Sequence, residues 1–74
     1  MNALEIRIEL LKKGTSMRAV AKKIGVSANA VYLVAHRKLV SLRIMAALAD
    51  TLDLKLREVF PEYEPKPRWR ANAH

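Results

Sequence analysis

Two glycines divide the first half of this chain into short helices. The chain contains only Gly14 and Gly25, and each follows an amphipathic run and lies one or two residues before a Ser or Thr. Glycine adopts the positive φ that ends a helix, and a Ser or Thr hydroxyl caps the next helix. The pattern predicts a helix over about 3–13, a second of about eight residues between the glycines, and a third over about 28–36 or 28–37. The predicted capping residues are Asn2, Thr15 or Ser16, Ser27 and Ser41.

The second half of the chain predicts two further helices and an extended end. An apolar-periodic run covers about 42–52, and a short helix follows around 55–60. Pro61 ends this helix, because it opens a stretch with three prolines in seven positions. We therefore expect an all-α fold of five helices in one domain over residues 1–60, followed by an extended, basic, Pro-rich tail over 61–74.

Apolar residues at helical spacing predict the core. On the first helix the expected buried stripe is Leu4, Ile8 and Leu11, with Leu10 beside it. The other expected core residues are Met17, Val20, Ala21, Ile24, Val26, Val31, Val34, Ala35, Ile44, Met45, Leu48, Leu52, Leu56, Val59 and Phe60.

Most of the positive charge lies in a stretch without acidic residues. Residues 10–49 carry eight Lys or Arg and no Asp or Glu, and the whole chain has a net charge of +7. A field of one sign favours a polyanionic partner such as DNA.

Several other classes of function have no support in the sequence. The chain has no Cys, and His36 and His74 are far apart with no carboxylate at ligand spacing. It also lacks a Gly-rich phosphate loop and a nucleophile with a nearby base. We therefore expect no enzyme activity, no metal and no cofactor. Because no run of eighteen apolar residues and no signal-peptide pattern is present, we expect a cytoplasmic, nucleoid-associated protein without a membrane span.

The central run has the spacing of a helix-turn-helix. Two helices that cross closely need a small residue at the contact, and Ala21 provides one. Gly25 supplies a permissive turn residue four positions later, and Val31 and Val34 anchor the second helix to the core. Neither a charged residue nor a proline occupies these positions. Together with the acid-free window, the pattern predicts a helix that enters the major groove of duplex DNA.

These residues resemble a lambda-repressor-like helix-turn-helix domain. The segment 16–36 resembles the motif itself, and 46–60 resembles the group's fourth helix, connection and fifth helix, with Asp53 where many members have Gly. The run 59–63 (Val-Phe-Pro-Glu-Tyr) further resembles the Ner-type regulators of phages and prophages. The resemblance covers about residues 4–63. It implies a five-helix domain that binds duplex DNA sequence-specifically and controls transcription, with repression as the expected sign.

In this group the start of the recognition helix contacts bases. The resemblance assigns that role to Ser27, Ala28, Asn29 and Tyr32, with Leu33 as a further candidate. Asn29 can bridge N6 and N7 of adenine, and Ala28 or Leu33 can touch a thymine methyl group. The alternatives are a helix-start hydrogen bond for Asn29, half-buried packing for Tyr32, and an exposed or dimer-facing role for Leu33. Because this surface has no Arg or Gln to form hydrogen bonds with bases, recognition of DNA by its shape is a further alternative.

The cations near the motif are expected to hold the DNA backbone. The predicted backbone contacts are Ser16, Arg18, Lys22, Lys23, His36, Arg37, Lys38 and Arg43. Thr15, Ser16 and Ser41 precede helices whose amide groups can bind phosphate. The alternative for any single Lys is a solvated surface charge. If about six phosphates are bound, the logarithm of the binding constant falls with the logarithm of salt concentration at a slope near −5.

Two other functions and the oligomeric state stay open. The same fold can serve as a protein-interaction module, such as an antitoxin or co-regulator, and the acidic residues after position 49 offer a surface for it. It can also serve as a non-specific architectural DNA binder. We expect a weak homodimer, or a monomer that pairs on DNA, through the fifth helix and the tail. Trp69, between Arg68 and Arg70, is either part of a solubilising tail or a DNA contact.

Overall fold

The computed structural model describes residues 1–63, and all of the regular structure in that part is helical. The helices are α1 (Ala3–Lys12), α2 (Met17–Ile24), α3 (Ala28–Ala35), α4 (Leu42–Thr51) and α5 (Leu56–Val59). The predicted all-α fold of five helices is confirmed, with each boundary within one or two residues of its expected place. The predicted tail beyond Tyr63 lies outside the described residues.

Polar caps start the first four helices, as predicted. The Asn2 side chain accepts from the Glu5 amide at 2.8 Å, and the Glu5 carboxylate accepts from the Asn2 amide at 2.8 Å, which forms a capping box. Ser16, Ser27 and Ser41 each accept from the amide three residues later. Between the two candidates for the α2 cap, Ser16 is therefore the residue used.

The first four helices all end in the same left-handed turn. The C-cap of α2 and the residue after the C-cap in the other three helices have positive φ, which is 75° at both glycines, 62° at Arg37 and 60° at Asp53. In each case the next amide bonds back to a carbonyl five residues earlier, at 2.8 to 3.0 Å. This is the Schellman arrangement, which satisfies carbonyls that the helix leaves free. Asp53 thus adopts the conformation that many members of the resembling group achieve with glycine.

The core forms where α2 packs on α3 and α4, with α5 against α4 and α1 against α3. The predicted inward residues of α3 and α4 are all buried, and Val20, Ala21, Val59 and Phe60 are buried with them. Met17, Ile24, Val26 and Leu56 are partly buried against the same cluster. Tyr63 also packs on it, so folded contacts continue to the last described residue.

The predicted buried stripe of α1 is wrong. Leu4 and Leu11 are each 62% exposed and Ile8 is 42% exposed, whereas Ile6 and Leu10 are fully buried. Ala3, Ile6 and Leu10 also recur at helical spacing, and the small Ala3 is partly buried against the core. The chain therefore carries two apolar stripes on α1 and buries the one with the small residue.

Arg37 ties the end of α3 to the end of α5. Its Nε donates to the Glu62 carboxylate at 2.7 Å, and its terminal nitrogens donate to the carbonyls of Ala35 at 2.9 Å and Val59 at 3.1 Å. The guanidinium carbon lies 4.6 Å from the centre of the Phe60 ring, within cation–π range. The same Val59 carbonyl accepts from the Met1 ammonium group at 2.9 Å. We call the contacts of Arg37 with Glu62, Val59 and Phe60 the Arg37 clamp.

Two adjacent leucines of α1 test which apolar stripe supports the fold. Leu10 is fully buried and Leu11 is 62% exposed. We expect Leu10→Ala to lower the free energy of unfolding by about 2–5 kcal/mol, because it removes buried methyl groups and leaves a cavity. Leu11→Ala should change it by less than about 0.5 kcal/mol. Urea unfolding followed by circular dichroism measures both values. A larger loss for Leu11→Ala than for Leu10→Ala would contradict the burial described here.

The Arg37 clamp predicts a pH-dependent contribution to stability. The hydrogen bonds from Arg37 hold the pKa of the Glu62 carboxyl below its ordinary value of 4.5. A carboxyl whose pKa is lower in the folded state stabilises the fold above the unfolded pKa, and this contribution is lost as pH falls through the folded pKa. Because the Glu62 side chain is 52% exposed, we expect Glu62→Gln to cost less than about 1 kcal/mol at pH 7. The difference from the original chain should shrink toward zero as the pH falls through the folded pKa of Glu62.

Urea unfolding at neutral and acidic pH measures this difference. Asp50→Asn, at an exposed carboxylate outside the ion pairs formed within residues 1–63, is the matched control. A Glu62→Gln effect that stays constant between pH 7 and pH 3 would show that the clamp acts without the Glu62 charge.

Candidate nucleic-acid interface

The turn between α2 and α3 has the geometry that the helix-turn-helix pattern requires. Gly25 has a φ of 75°, and the amide of Val26 bonds to the Ala21 carbonyl at 3.0 Å. Ala21 is buried where α2 packs on α3, and Val31 is buried beneath α3. The chain therefore reverses direction within three residues. Only one side of α3 packs against the core.

The opposite side of α3 is the one that the sequence assigned to bases. Ser27, Asn29 and Tyr32 are exposed, while Ala28 and Leu33 are half-buried. The Ser27 hydroxyl accepts from the Ala30 amide at 3.1 Å, so this oxygen already serves as the helix cap. Within residues 1–63 the Asn29 side chain has no hydrogen-bond partner, which leaves its amide available to a ligand.

Tyr32 and His36 form an aromatic pair at the later end of this face. Their ring centres are 4.1 Å apart and the ring planes are inclined by 41°. Both residues are exposed, and His36 is the C-cap of α3. The pair therefore presents an aromatic edge next to the small residues of the first turn. This contact follows from the i, i+4 spacing, but the sequence analysis did not predict it.

The Lys and Arg residues predicted to contact the DNA backbone divide into two groups. Arg18, Lys22, Lys23 and Lys38 are exposed and take part in no ion pair within the described residues. Arg43 donates to the Ile24 carbonyl at the end of α2, and Arg37 forms the Arg37 clamp. The first group has free cationic ends on α2 and on the turn after α3. The second group has internal partners that fix the ends of α2, α3 and α5.

Sequence reasoning missed the internal role of Arg37. No acidic residue lies within ten positions of Arg37, and its partner Glu62 fell in the segment predicted as an extended tail. Because Arg37 and Glu62 are 25 positions apart, the sequence around each carries no local signal of their contact. Ser16, by contrast, caps α2 at the predicted place.

Other kinds of site have no counterpart in the described part of the chain. No group of three His, Asp or Glu side chains within residues 1–63 is placed to hold a metal ion. No helix there has the length and apolar character needed to cross a membrane.

Comparison with known proteins gives one result. A family model described as winged helix-turn-helix DNA-binding matches residues 1–71, which include all five helices. No curated protein matches the chain, and no solved structure does. Residues 1–63 contain no β-strand, so the described part presents the helical body of the family without a wing. With its helix-turn-helix and the acid-free stretch of residues 10–49, the chain belongs to the winged helix-turn-helix DNA-binding family.

Proposed function

We propose that this protein is a sequence-specific regulator of transcription that inserts α3 into the major groove of duplex DNA and represses, in the manner of the Ner-type regulators it resembles. The observation that carries the proposal is the exposed side of α3. It presents small and polar side chains at the start of a helix, inside a surface stretch without acidic residues. Such a regulator acts where the DNA is, in the cytoplasm of a bacterial cell.

The first turn of α3 is suited to reading A·T pairs. An Asn side chain forms two hydrogen bonds with the major-groove edge of adenine, and an Ala methyl group packs on the thymine methyl group. Asn29 is exposed and Ala28 precedes it on the same turn. Ser27 retains its capping bond, so its part in base contact is through the hydroxyl hydrogen. Tyr32 extends the contact along the groove, with its orientation fixed by His36.

The free cations form the second part of the proposed interface. Arg18, Lys22 and Lys23 lie on α2, the helix that crosses the DNA backbone in this motif, and Lys38 follows α3. We assign phosphate contacts to these four and to His36. Ser16 and Ser41 act through the amides of the helices that they cap. Arg37 and Arg43 already donate to internal partners, so we assign them to positioning.

Repression is the simplest effect that a DNA-binding domain of this size can have on transcription. A small domain bound across a promoter prevents other proteins from occupying the same DNA. This outcome requires no further contact with the transcription machinery.

We also propose that two copies pair on DNA through the connection between α3 and α4. Leu39, Val40 and Leu42 are 41%, 74% and 50% exposed, and together they form an apolar patch. A groove of about 190 Å³ next to it is lined by residues of this connection and by Phe60 and Tyr63. This patch adjoins the end of α5, where pairing was predicted. Three exposed apolar residues within four positions, two in the connection and one at the start of α4, are more than scattered surface positions require.

Selection of duplexes from a random pool at about 150 mM salt tests the reading of sequence by α3. The intact chain should enrich a short motif that contains A·T pairs, and Asn29→Ala should lose preference at one or two positions, by about 1–3 kcal/mol per base pair. Lys22→Gln is the matched control, because it should weaken binding to all duplexes equally and reduce the salt slope by about 0.9. Binding of the intact chain should show a slope near −5 for about six phosphates.

The other outcomes identify the competing functions. An unenriched pool with binding that fades as salt rises would indicate a non-specific architectural binder. If no duplex is bound, the proposal fails, and an antitoxin-like or co-regulator role in protein binding becomes the better account.

The pairing proposal has its own test. Val40→Glu should abolish binding of two copies to a duplex with two sites, because it places a carboxylate in the apolar patch. Leu54→Glu, at an exposed apolar residue outside both the patch and the proposed DNA contacts, should leave pairing unchanged. Light scattering of the free protein and of the complex counts the copies. A monomer in both states for the intact chain would overturn the proposal.

A further inference from the structure

A groove of about 470 Å³ lies between α1, the start of α2 and the exposed side of α3. Its lining includes both Leu4 and Leu11 of the unburied α1 stripe, together with the aromatic pair of α3. Two arginines complete this part of the lining, Arg7 from α1 and Arg18 from α2. The sequence predicted a DNA contact for Arg18, Tyr32 and His36, but none for any residue of α1.

The charge of the groove has one sign. Arg7 and Arg18 come from two different helices, and no acidic residue belongs to the lining. The two acids of α1 have other partners, since Glu5 forms the capping box with Asn2 and Glu9 binds Lys12 at 3.1 Å. A helix turns by about 100° per residue, so these acids lie on the side of α1 away from Arg7, Leu4 and Leu11. Within residues 1–63 Arg7 has no ion-pair partner.

The apolar part of the groove fits the same kind of ligand. Leu4 and Leu11 are each 62% exposed, and Tyr32 is 51% exposed. A DNA strand presents a charged phosphate and a largely apolar deoxyribose in alternation. Guanidinium groups beside leucine side chains match both parts, because the guanidinium forms forked hydrogen bonds with phosphate.

A second copy of the chain fits this groove poorly. A two-fold contact brings the same surface of each copy together, and here it would oppose the cations of one groove to those of the other. The charge of the groove therefore favours an anionic strand over self-association.

We propose that α1 is a third helix of the DNA interface. One strand of the duplex leaves the recognition helix at the Tyr32–His36 pair and crosses this groove, where Arg7 binds a phosphate and Leu4 and Leu11 contact the adjacent sugar. The inference rests on the proposed function, and it adds Arg7 as a residue that positions the protein on DNA without reading its sequence.

Arg7→Gln tests the inference, with Arg57→Gln as the matched control. Both residues are exposed arginines, and Arg57 lies on α5 outside the groove lining. On the selected duplex, Arg7→Gln should weaken binding by about 3- to 10-fold and reduce the salt slope by about 0.9, with the base preference unchanged. Arg57→Gln should leave affinity and slope as in the intact chain. Thermal unfolding of both variants confirms that each is folded.

A proximity measurement makes the test independent of affinity. Because the chain contains no Cys, Arg7→Cys and Arg57→Cys each create a single attachment site for a DNA-cleaving iron chelate. At saturating protein, cleavage from position 7 should occur at discrete nucleotides flanking the selected motif, and position 57 should give none.

The outcomes separate this inference from the proposed function. If the intact chain selects a motif but Arg7→Gln behaves as Arg57→Gln and position 7 gives no cleavage, only the role of α1 is overturned. If the intact chain binds no duplex, both proposals are overturned together.

Discussion

The left-handed residue that follows each of the first four helices is the constraint on which the structure depends. Helices of eight or ten residues bury enough apolar surface only if the chain reverses abruptly between them. Gly14 and Gly25 adopt positive φ at little cost, whereas Arg37 and Asp53 do so against steric resistance of roughly 1–2 kcal/mol each. The turn at Gly25 sets the angle between α2 and α3. The exposure of Asn29 and Tyr32 is a consequence of that angle.

Arg37 shows how a strained turn can be stabilised by distant contacts. A glycine at this position would relieve the backbone, but it would remove the guanidinium that binds Glu62, Val59 and Phe60. These contacts join the end of α3 to the end of α5, so strain at one position is offset by a tertiary link. The same link draws the segment from Pro61 to Tyr63 onto the body. Arg37 thus contributes to the position of α3 rather than to the free charge of the interface.

Local signals were sufficient for most of the fold. Capping residues, helix-ending glycines and the stripes of α3 and α4 are all encoded within a few residues of where they act, and each prediction based on them is confirmed. The stripe of α1 was not predictable in this way, because Leu4, Ile8 and Leu11 have the same periodicity as Ala3, Ile6 and Leu10. Only packing against α3 distinguishes the two. The Arg37 clamp was missed for a related reason, since the residues that Arg37 contacts lie 22 to 25 positions after it in the sequence.

The misassigned stripe also explains why the sequence analysis predicted no DNA contact for α1. A stripe taken as core has no reason to meet a ligand, so no contact was predicted for the flanking Arg7. Once Leu4 and Leu11 are exposed, they line one groove together with Arg7, Arg18 and the aromatic pair of α3. Exposing leucines is costly for a domain this small unless something covers them in use. A nucleic-acid strand covers apolar and cationic groups together, whereas a purely apolar partner would leave Arg7 and Arg18 desolvated without a counter-charge.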